Sequence, residues 1–385
     1  MPLPDLLDAL RRTASLPKDR SEATPPQAYT SLEFLELELD RIFNHEWICV
    51  GRRDEFTNPG DFRVVTVGRD EVIILRGRDG VLRALSNICR HRMMSLLTGA
   101  GNLKGKITCP YHAWTYNLDG QLSGALHMSE TFDVRSCRLP QFAIEEWEGW
   151  LYVNLDPESA PLGPRLSPIR ERLANFNLNS YQTLFRVDEV WNTNWKILFQ
   201  NFMEPYHVFV VHRATVEHAL PTRLSEVQEG GPGFCLYKQG RIPGVAYEYG
   251  EPMQNPNSAL TEEEENSVFL FGAFPSHVVS VSAERTFWLS LMPIGVDKVH
   301  VFWGVDVHPD AMPDGADREQ RVAALKASFQ KINDEDKPMI AAVARNAKAL
   351  AAEPGRLSHM EYTLLDFQRY LSRMLSSPQD VDTAQ

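Results

Sequence analysis

The sequence predicts an α+β protein in two parts: a small antiparallel β-sandwich, then a larger domain of mixed antiparallel sheet and helices. Three observations carry this reading. The chain has 385 residues, long for a single core. From Trp47 to Asn154, short β-rich runs alternate with turns containing Gly or Asp and show no helical period. Beyond a Pro-rich stretch at 157–168, strand-like and helix-like patterns alternate, followed by two helical segments. The expected division is 1–44 as an N-terminal helical segment packing on the larger domain, 45–157 as the β domain, and 158–385 as the larger domain.

Each element has a local cause. Leu6-Leu7-Asp8-Ala9-Leu10 is a short amphipathic stretch, followed by a Pro-containing connector and a second helical pattern over 31–43. Thr30 fits the N-cap of that helix, with Glu33 spaced to reach back to its amide. The runs Val64-Val65-Thr66-Val67, Val72-Ile73-Ile74-Leu75 and Leu82-Arg83-Ala84-Leu85 are separated by turns at Gly68-Arg69-Asp70 and Asp79-Gly80. The pattern continues through Ile107-Thr108, Trp114-Thr115-Tyr116 and 150–154, and the Pro-rich stretch then reads as a linker. In the larger domain 187–191 reads as a strand, 195–211 as one long helix, and 267–288 as paired strands. Gly230-Gly231-Pro232-Gly233 and the acidic run Glu262-Glu263-Glu264-Glu265 mark loops, the latter as a solvated surface turn. An Ala-rich helical period covers 317–350, and 361–375 forms a final helix.

Composition removes some classes of function. A net charge of -12 and a pI near 5.4 leave no basic stripe for a nucleic acid. No apolar run has the length of a bilayer span, and Met1-Pro2-Leu3-Pro4-Asp5 carries an acid where a signal peptide is basic, so a soluble, cytoplasmic protein with no membrane partner is expected. Two of the five cysteines fall in the motifs described next. Cys49, Cys137 and Cys235 are left as an odd, irregular set, expected as buried reduced thiols.

Cys89-Arg90-His91 and Cys109-Pro110-Tyr111-His112 each supply one thiolate and one imidazole. A structural zinc site with this donor count usually pairs the Cys in one knuckle and the His in the other. Here the types are mixed within each knuckle. That is the requirement of a 2Fe-2S centre in which two Cys hold one iron and two His the other, one ligand of each kind coming from each of two facing loops. The tail Cys109-Pro110-Tyr111-His112-Ala113-Trp114-Thr115-Tyr116, followed by Leu118-Asp119-Gly120, resembles the Rieske domain of ring-hydroxylating oxygenases. Trp114 and Tyr116 are expected to pack over the cluster, and Pro110 to shape the ligand loop.

The second informative stretch runs from Asn194-Trp195-Lys196 through Asn201-Phe202-Met203-Glu204-Pro205-Tyr206-His207 to His212. His207 and His212 are five apart, close enough to converge if the helix ends or bulges between them. Two His and one distant carboxylate make the facial triad of a non-haem Fe(II) oxygenase, with positions left open for oxygen chemistry. Alone, such a pair is weak evidence. The longer pattern resembles the catalytic domain of Rieske oxygenase α subunits, a helix-grip fold, and the resemblance implies a third ligand in a downstream acidic pair. Asn333-Asp334-Glu335-Asp336-Lys337-Pro338 offers Asp336, with Asp334 as fallback; the bland alternative is a solvated helix cap.

Glu204 and Asn201 are the residues that the resemblance places in catalytic roles. In most ring-hydroxylating relatives an Asp at the place of Glu204 links a Rieske His of a neighbouring subunit to an iron-bound His. A Glu there, one residue nearer the preceding Asn, resembles the branch acting on carnitine, choline-like compounds and betaines. Phe199, Phe209, Phe271 and Phe287 are expected along the substrate pocket, with Phe202, Val210, Phe274 and Trp288 as further candidates.

The resemblance implies a terminal oxygenase that uses O2, a Rieske 2Fe-2S cluster and a mononuclear Fe(II), assembled as a head-to-tail homotrimer of α subunits. No Gly-rich dinucleotide fingerprint or ferredoxin-type Cys spacing is visible, so NAD(P)H and flavin are expected only on a separate reductase or ferredoxin partner. The expected reaction is hydroxylation of a small-molecule substrate at a carbon next to N or O with oxidative dealkylation. Hydroxylation or dihydroxylation of an aromatic ring is the alternative reaction; an electron carrier of Rieske type and a zinc scaffold are the alternative classes.

Overall fold

The structure, a computed structural model, describes residues 1–245, 257–312, 315 and 317–376. The chain divides into two compact units, one of 1–41 with 163–385 and one of 42–162.

In the first unit, α1 (Leu3–Ser15) buries Leu6 and Leu10 and packs against the final helix of the same unit. The next helix, α2 (Leu32–Glu38), is capped by Ser31, whose Oγ accepts from the Phe34 N–H at 3.2 Å. The expected Thr30 cap is corrected by one residue. Thr30 closes a preceding 3-10 turn at φ -124°, ψ -15°, whereas Ser31 has the extended backbone a cap needs. With Ser31 as cap, Glu33 is too early for a capping box.

The 42–162 unit contains β1 (Ile48–Arg52), β2 (Asp61–Val67), β3 (Asp70–Arg76), β4 (Leu82–Ser86), β5 (Ala100–Asn102), β6 (Ile107–Thr108), β7 (Thr115–Tyr116), β8 (Leu122–Gly124), β9 (Gln141–Trp147) and β10 (Trp150–Asn154). Seven of these form an antiparallel sheet ordered β1-β10-β9-β4-β3-β2-β5, and β6-β7-β8 form a second, smaller one. Ile73, Leu75 and Leu85 from the large sheet meet Ile107, Tyr116 and Leu122 from the small one in a buried cluster that also contains Cys89 and Cys109. The apolar core is therefore built around the two cysteine loops.

After α3 (Leu162–Arg165) and α4 (Ser167–Arg172), the larger unit forms a seven-stranded antiparallel sheet. Its strands are β11 (Gln182–Trp191), β12 (Ser225–Val227), β13 (Phe234–Gly240), β14 (Ser267–Ala273), β15 (His277–Val281), β16 (Arg285–Gly295) and β17 (Lys298–Val307), in the order β11-β17-β16-β15-β14-β13-β12. The helices are α5 (Trp195–Phe202), α6 (Val208–Val211), α7 (Glu262–Glu265), α8 (Arg318–Asn346) and α9 (Tyr362–Leu375). The supposed linker is thus helical in its second half, with Leu162 and Leu166 buried and Pro168 in the first turn of α4, where its missing N–H costs nothing.

Two further expectations are corrected. The long helix over 195–211 is broken, because Pro205 cannot donate to the ladder and disfavours the helical region at Glu204. The acidic run is a helical turn, α7, with a reciprocal Thr261/Glu264 capping box. Glu264 is buried there and accepts from Asn175 Nδ2 at 3.0 Å.

The Asn194-Trp195-Lys196 motif anchors α5. Asn194 Oδ1 caps the helix by accepting from the Lys196 N–H at 3.0 Å, and its Nδ2 donates to the carbonyls of Tyr29 and Val296. Lys196 Nζ lies 2.8 Å from Glu38 with both side chains fully buried, and Trp195 Nε1 donates to the same carboxylate at 3.1 Å. These contacts fix the helix that presents Asn201 and Phe202 to the site.

Candidate metal centres

The two cysteine loops have the same backbone. In each, the residue four after the Cys donates to the Cys carbonyl: Met93 N to Cys89 O at 3.1 Å, and Ala113 N to Cys109 O at 3.0 Å. In each, the Cys N–H donates to the carbonyl five residues on, Met94 at 2.9 Å and Trp114 at 2.8 Å. Met93 and Ala113 both adopt φ 57°, the left-handed geometry that closes such a knuckle. The paired knuckles bury both thiols and bring the rings of His91 and His112 to 4.6 Å, nearly perpendicular.

The residues fit a 2Fe-2S group. His91 Nδ1 is buried without a hydrogen-bond partner, a cost that a metal bond would remove. Trp114 stacks parallel to His91 at 4.9 Å. Tyr116 Oη lies 3.3 Å from Cys89 Sγ and accepts from the Arg90 N–H at 3.1 Å. Burial, then the neighbouring Cys89, holds the Tyr116 phenol well above its ordinary pKa, so it keeps a proton to donate toward the sulfur. His112 is exposed, as are Met93 and Tyr111, so the imidazole end of the site reaches the surface of its unit. Of the other cysteines, Cys49 and Cys235 are buried and Cys137 is partly exposed; all are free thiols.

The helix break at Glu204-Pro205 builds the second site. His207 and His212 flank the single turn α6, with their rings 5.2 Å apart. His207 Nδ1 lies 2.6 Å from Glu204 Oε1, and His212 Nδ1 lies 2.8 Å from Glu335 Oε2. An ionised carboxylate only accepts, so both Nδ1 atoms carry the proton and both Nε2 atoms present lone pairs. These lone pairs converge on Asp336 Oδ1, which is 3.8 Å from His207 Nε2 and 3.1 Å from His212 Nε2. Asp336 Oδ1 is itself buried without a hydrogen-bond partner. Two imidazoles, one inward carboxylate and two further carboxylates behind them call for a cation, and the donor set suits Fe(II).

Each carboxylate has a local support. Glu204 Oε2 also accepts from the His207 N–H at 3.1 Å, which ties the ring to the break. Glu335 Oε2 accepts from Thr215 Oγ1 at 2.6 Å. Burial alone would push the His207 imidazole down, but Glu204 and then Asp336 outweigh it and favour a charged ring; a cation at Nε2 would take the place of that second proton and leave the lone pair to the metal.

A cavity opens beside these three donors. Alternate residues of the sheet line it: Tyr237 and Gln239 on β13, Val268 and Leu270 on β14, Arg285 and Phe287 on β16. Opposite them, α5 contributes Asn201 and Phe202, and α8 contributes Phe329, Ile332, Asn333 and Asp336 at helical spacing. Phe287 stacks on Phe329 at 4.6 Å and contacts Phe202 at 5.7 Å, forming an aromatic wall.

The structure thus brings His207, His212 and Asp336 together and sets Cys89, His91, Cys109 and His112 on paired loops. Asp334 lies on the outer face of α8, in an ion pair with Lys337 at 2.9 Å. Of the four expected pocket phenylalanines, Phe287 lines the cavity and three do not. Phe199 stacks on Phe367 at 4.3 Å, in the core between α5 and α9. Phe271 is on the opposite face of β14, because Val268 and Leu270 take the cavity face and side chains alternate. Phe209 is 45% exposed beside Tyr206. Of the further candidates, Phe202 lines the cavity, Phe274 packs on Tyr370, Trp288 is fully buried and Val210 is exposed. Glu335, Thr215, Tyr237, Arg285 and Phe329 were missed.

Both parts of the chain match known families. Residues 171–377 match the model of the ring hydroxylating alpha subunit (catalytic domain), and 46–142 match the Rieske [2Fe-2S] domain. The carnitine monooxygenase oxygenase subunit of Acinetobacter baumannii is 37% identical over 192 residues, 49% of this chain and 52% of that protein. The chain therefore spans about half the length of that relative in the match. The glycine betaine monooxygenase oxygenase subunit of Chromohalobacter salexigens is 25% identical over 99% of this chain and 92% of its own length. Among solved structures, a quaternary ammonium Rieske monooxygenase shares the fold with a TM-score of 0.82, at 24% identity over 94% of this chain and 99% of that one.

Proposed function

Because the chain belongs to the family of ring hydroxylating alpha subunits and carries a Rieske domain, we propose that it is the terminal oxygenase component of a multicomponent Rieske monooxygenase. It hydroxylates a saturated carbon next to nitrogen or oxygen, and the unstable product then releases its alkyl group as an aldehyde. The observation that carries this reading is the convergence of His207 Nε2, His212 Nε2 and Asp336 Oδ1 on one point of the cavity, in a chain that also holds paired Cys/His knuckles. Neither a pure electron carrier nor a zinc scaffold has a use for the first.

Cys89 and Cys109 would hold one iron of the cluster, His91 and His112 the other, and His207, His212 and Asp336 the mononuclear iron. When bound, the cluster stores and passes single electrons and the mononuclear iron supplies oxygen activation. The protein's part is to hold donors and shape a dry cavity. Glu204 and Glu335 keep the protons of His207 and His212 on Nδ1, which commits both Nε2 atoms to the metal side. The Tyr237 phenol, pushed well up by burial and then by Glu204, stays protonated at the cavity wall and exposes no second anion there. Val268, Leu270, Phe202 and Phe287 exclude water from the space in which the substrate sits. Asn201 lines the same space beside the iron loop, placed to position substrate by its amide.

Dealkylation is supported by the relatives, which act on carnitine and glycine betaine, and by Glu204 in place of the more usual Asp. The aromatic wall of Phe202, Phe287 and Phe329 would hold an ammonium by cation-π attraction. The same wall favours a flat ring, so ring hydroxylation is kept as the second reading. Electrons come from a separate NAD(P)H-dependent flavin and iron-sulfur reductase or a ferredoxin. Exposed Met93 and Tyr111 beside the imidazole end of the cluster site, and exposed Tyr206, Phe209 and Val210 beside the iron loop, support contacts between copies in a cyclic α3 homotrimer. No described helix is long and apolar enough to cross a membrane, and the protein works in the cytoplasm.

The test is oxygen uptake together with aldehyde detection, for iron-loaded protein with a reductase, across N-methyl, O-methyl and simple aromatic compounds. Uptake matched by aldehyde is expected. A hydroxylated ring without aldehyde would replace dealkylation by the second reading, and turnover with NADH in the absence of any reductase would refute the division of labour.

A further inference from the structure

The cavity carries one feature that the metal does not require. Arg285 is the only arginine or lysine lining it among the described residues, and it is 9% exposed. It opens β16 with Phe287 on the same face, so the guanidinium projects among cavity residues and lies 5.7 Å from the ring of Phe329. Ser280, Ser282 and Gln239 line the neighbouring wall, giving this end of the cavity a polar character that the Val268 and Leu270 stretch lacks.

Position along α8 separates this end from the metal donors. Phe329 and Asp336 lie on one face of the helix seven residues apart, about 10 Å along its axis at 1.5 Å per residue. Glu284, the adjacent carboxylate, is turned to Arg241 at 2.9 Å. Burial would raise its pKa, but Arg241 and then Arg285 outweigh burial and hold it below the ordinary range, so one carboxylate is shared by two guanidiniums. A buried, planar, permanently charged fork at the remote end of a largely apolar cavity is suited to a bidentate oxyanion.

We infer that Arg285 anchors a carboxylate on the substrate, so that the substrate is an acid whose charged group and oxidised carbon lie at opposite ends of the cavity. This rests on the oxygenase reading and deepens it. For a methylated ammonium compound the substrate is then a zwitterion, its cation along the Phe202–Phe287–Phe329 wall and its carboxylate on Arg285.

The experiment uses the holoenzyme, with cluster and iron loaded, and two matched pairs of probes: γ-butyrobetaine and vanillate, each against its primary amide. Binding is measured anaerobically by calorimetry, and turnover with reductase by aldehyde release. At least one acid is expected to bind about 10–100-fold more tightly than its amide, the range of a charge-assisted hydrogen-bonded pair. Arg285→Gln should abolish that preference, raising KM far more than it lowers kcat, and Arg285→Lys should keep part of it. The native comparison needs no variant, and an unchanged visible spectrum of the cluster shows that each variant has folded. Neither acid preferred over its amide by the native protein, or a preference that survives in Arg285→Gln, overturns the assignment. Aldehyde released equally from acid and amide removes Arg285 while the oxygenase stands. Arg285-dependent binding of an acid without any oxygen uptake removes the oxygenase reading while the anion site stands.

Discussion

Glu335 is expected to set the affinity of the catalytic site for iron, although it does not point into it. Its Oε2 accepts from His212 Nδ1 at 2.8 Å and from Thr215 Oγ1 at 2.6 Å. Glu335→Ala removes both bonds and leaves His212 free to rotate or to protonate Nε2 instead of Nδ1, which takes away one of three donors. Loss of such a partner behind a ligating histidine costs about 10–100-fold in metal affinity, or about 1.4–2.7 kcal/mol. Both bonds end on the same oxygen, so Glu335→Gln keeps an acceptor for them and loses only the charge, and should fall at the lower end. Thr215→Val removes one bond to the carboxylate but none to the ring, so it should cost less than Glu335→Ala. The assay is competition for Fe(II) against a calibrated chelator, with the visible spectrum of the cluster as an internal control for folding. An iron affinity in Glu335→Ala within twofold of native, with folding intact, would refute the reasoning, because His212 would then hold its orientation without the carboxylate.

Three other outcomes follow. Glu204→Gln should leave the cluster spectrum unchanged but slow single-turnover oxidation of the cluster about tenfold or more, since it removes the charge facing His207 Nδ1; native rates would end the coupling role. Lys196→Met should destabilise the larger unit by about 3–5 kcal/mol, because it strands the fully buried Glu38, and adding Glu38→Leu should recover much of that loss; chemical denaturation of both variants decides this. Burial of Asp366 holds its carboxyl at about 6 against 3.8 in the unfolded chain. Between these values the folded protein keeps a proton that the unfolded chain has lost, so stability falls as pH rises through the window, by up to about 3 kcal/mol. Asp366→Asn should therefore melt higher than native above pH 6 and lose that advantage below pH 4; a pH-independent difference would show that the carboxyl is not desolvated.

The site was legible in the sequence where its chemistry is local. Cys89, His91, Cys109 and His112 sit in two short motifs whose residue order alone separates an iron-sulfur centre from a common zinc finger. Asp336 was reached only through resemblance, because nothing local says which acid of a run turns inward. The helix answers this: Asp336 shares a face with Phe329 and Asn333, while Asp334 is turned to solvent. Glu335, one residue from the proposed ligand Asp336, was invisible because its partner His212 belongs to a distant loop. Phe271 misled because aromatic content was read without the period of two. Pro205 did announce the break in the 195–211 helix, and the pattern of apolar residues on both sides concealed it.

The order of units along the chain has a consequence for how the protein is made. Residues 1–41 belong to the same unit as 163–385: Ala23 N donates to Gly355 O at 2.8 Å, Leu357 N donates to Ser21 O at 3.0 Å, and α1 rests on α9. The 42–162 unit opens and closes on adjacent antiparallel strands, with Ile48 opposite Val153, so it enters and leaves as an insertion with neighbouring ends. During synthesis this insertion can close on its own residues as soon as Asn154 has emerged, while Glu38 waits for Lys196 and α1 waits longer still, for α9 near the end of the described residues. All four Cys and His of the paired knuckles are therefore made before any residue that lines the cavity.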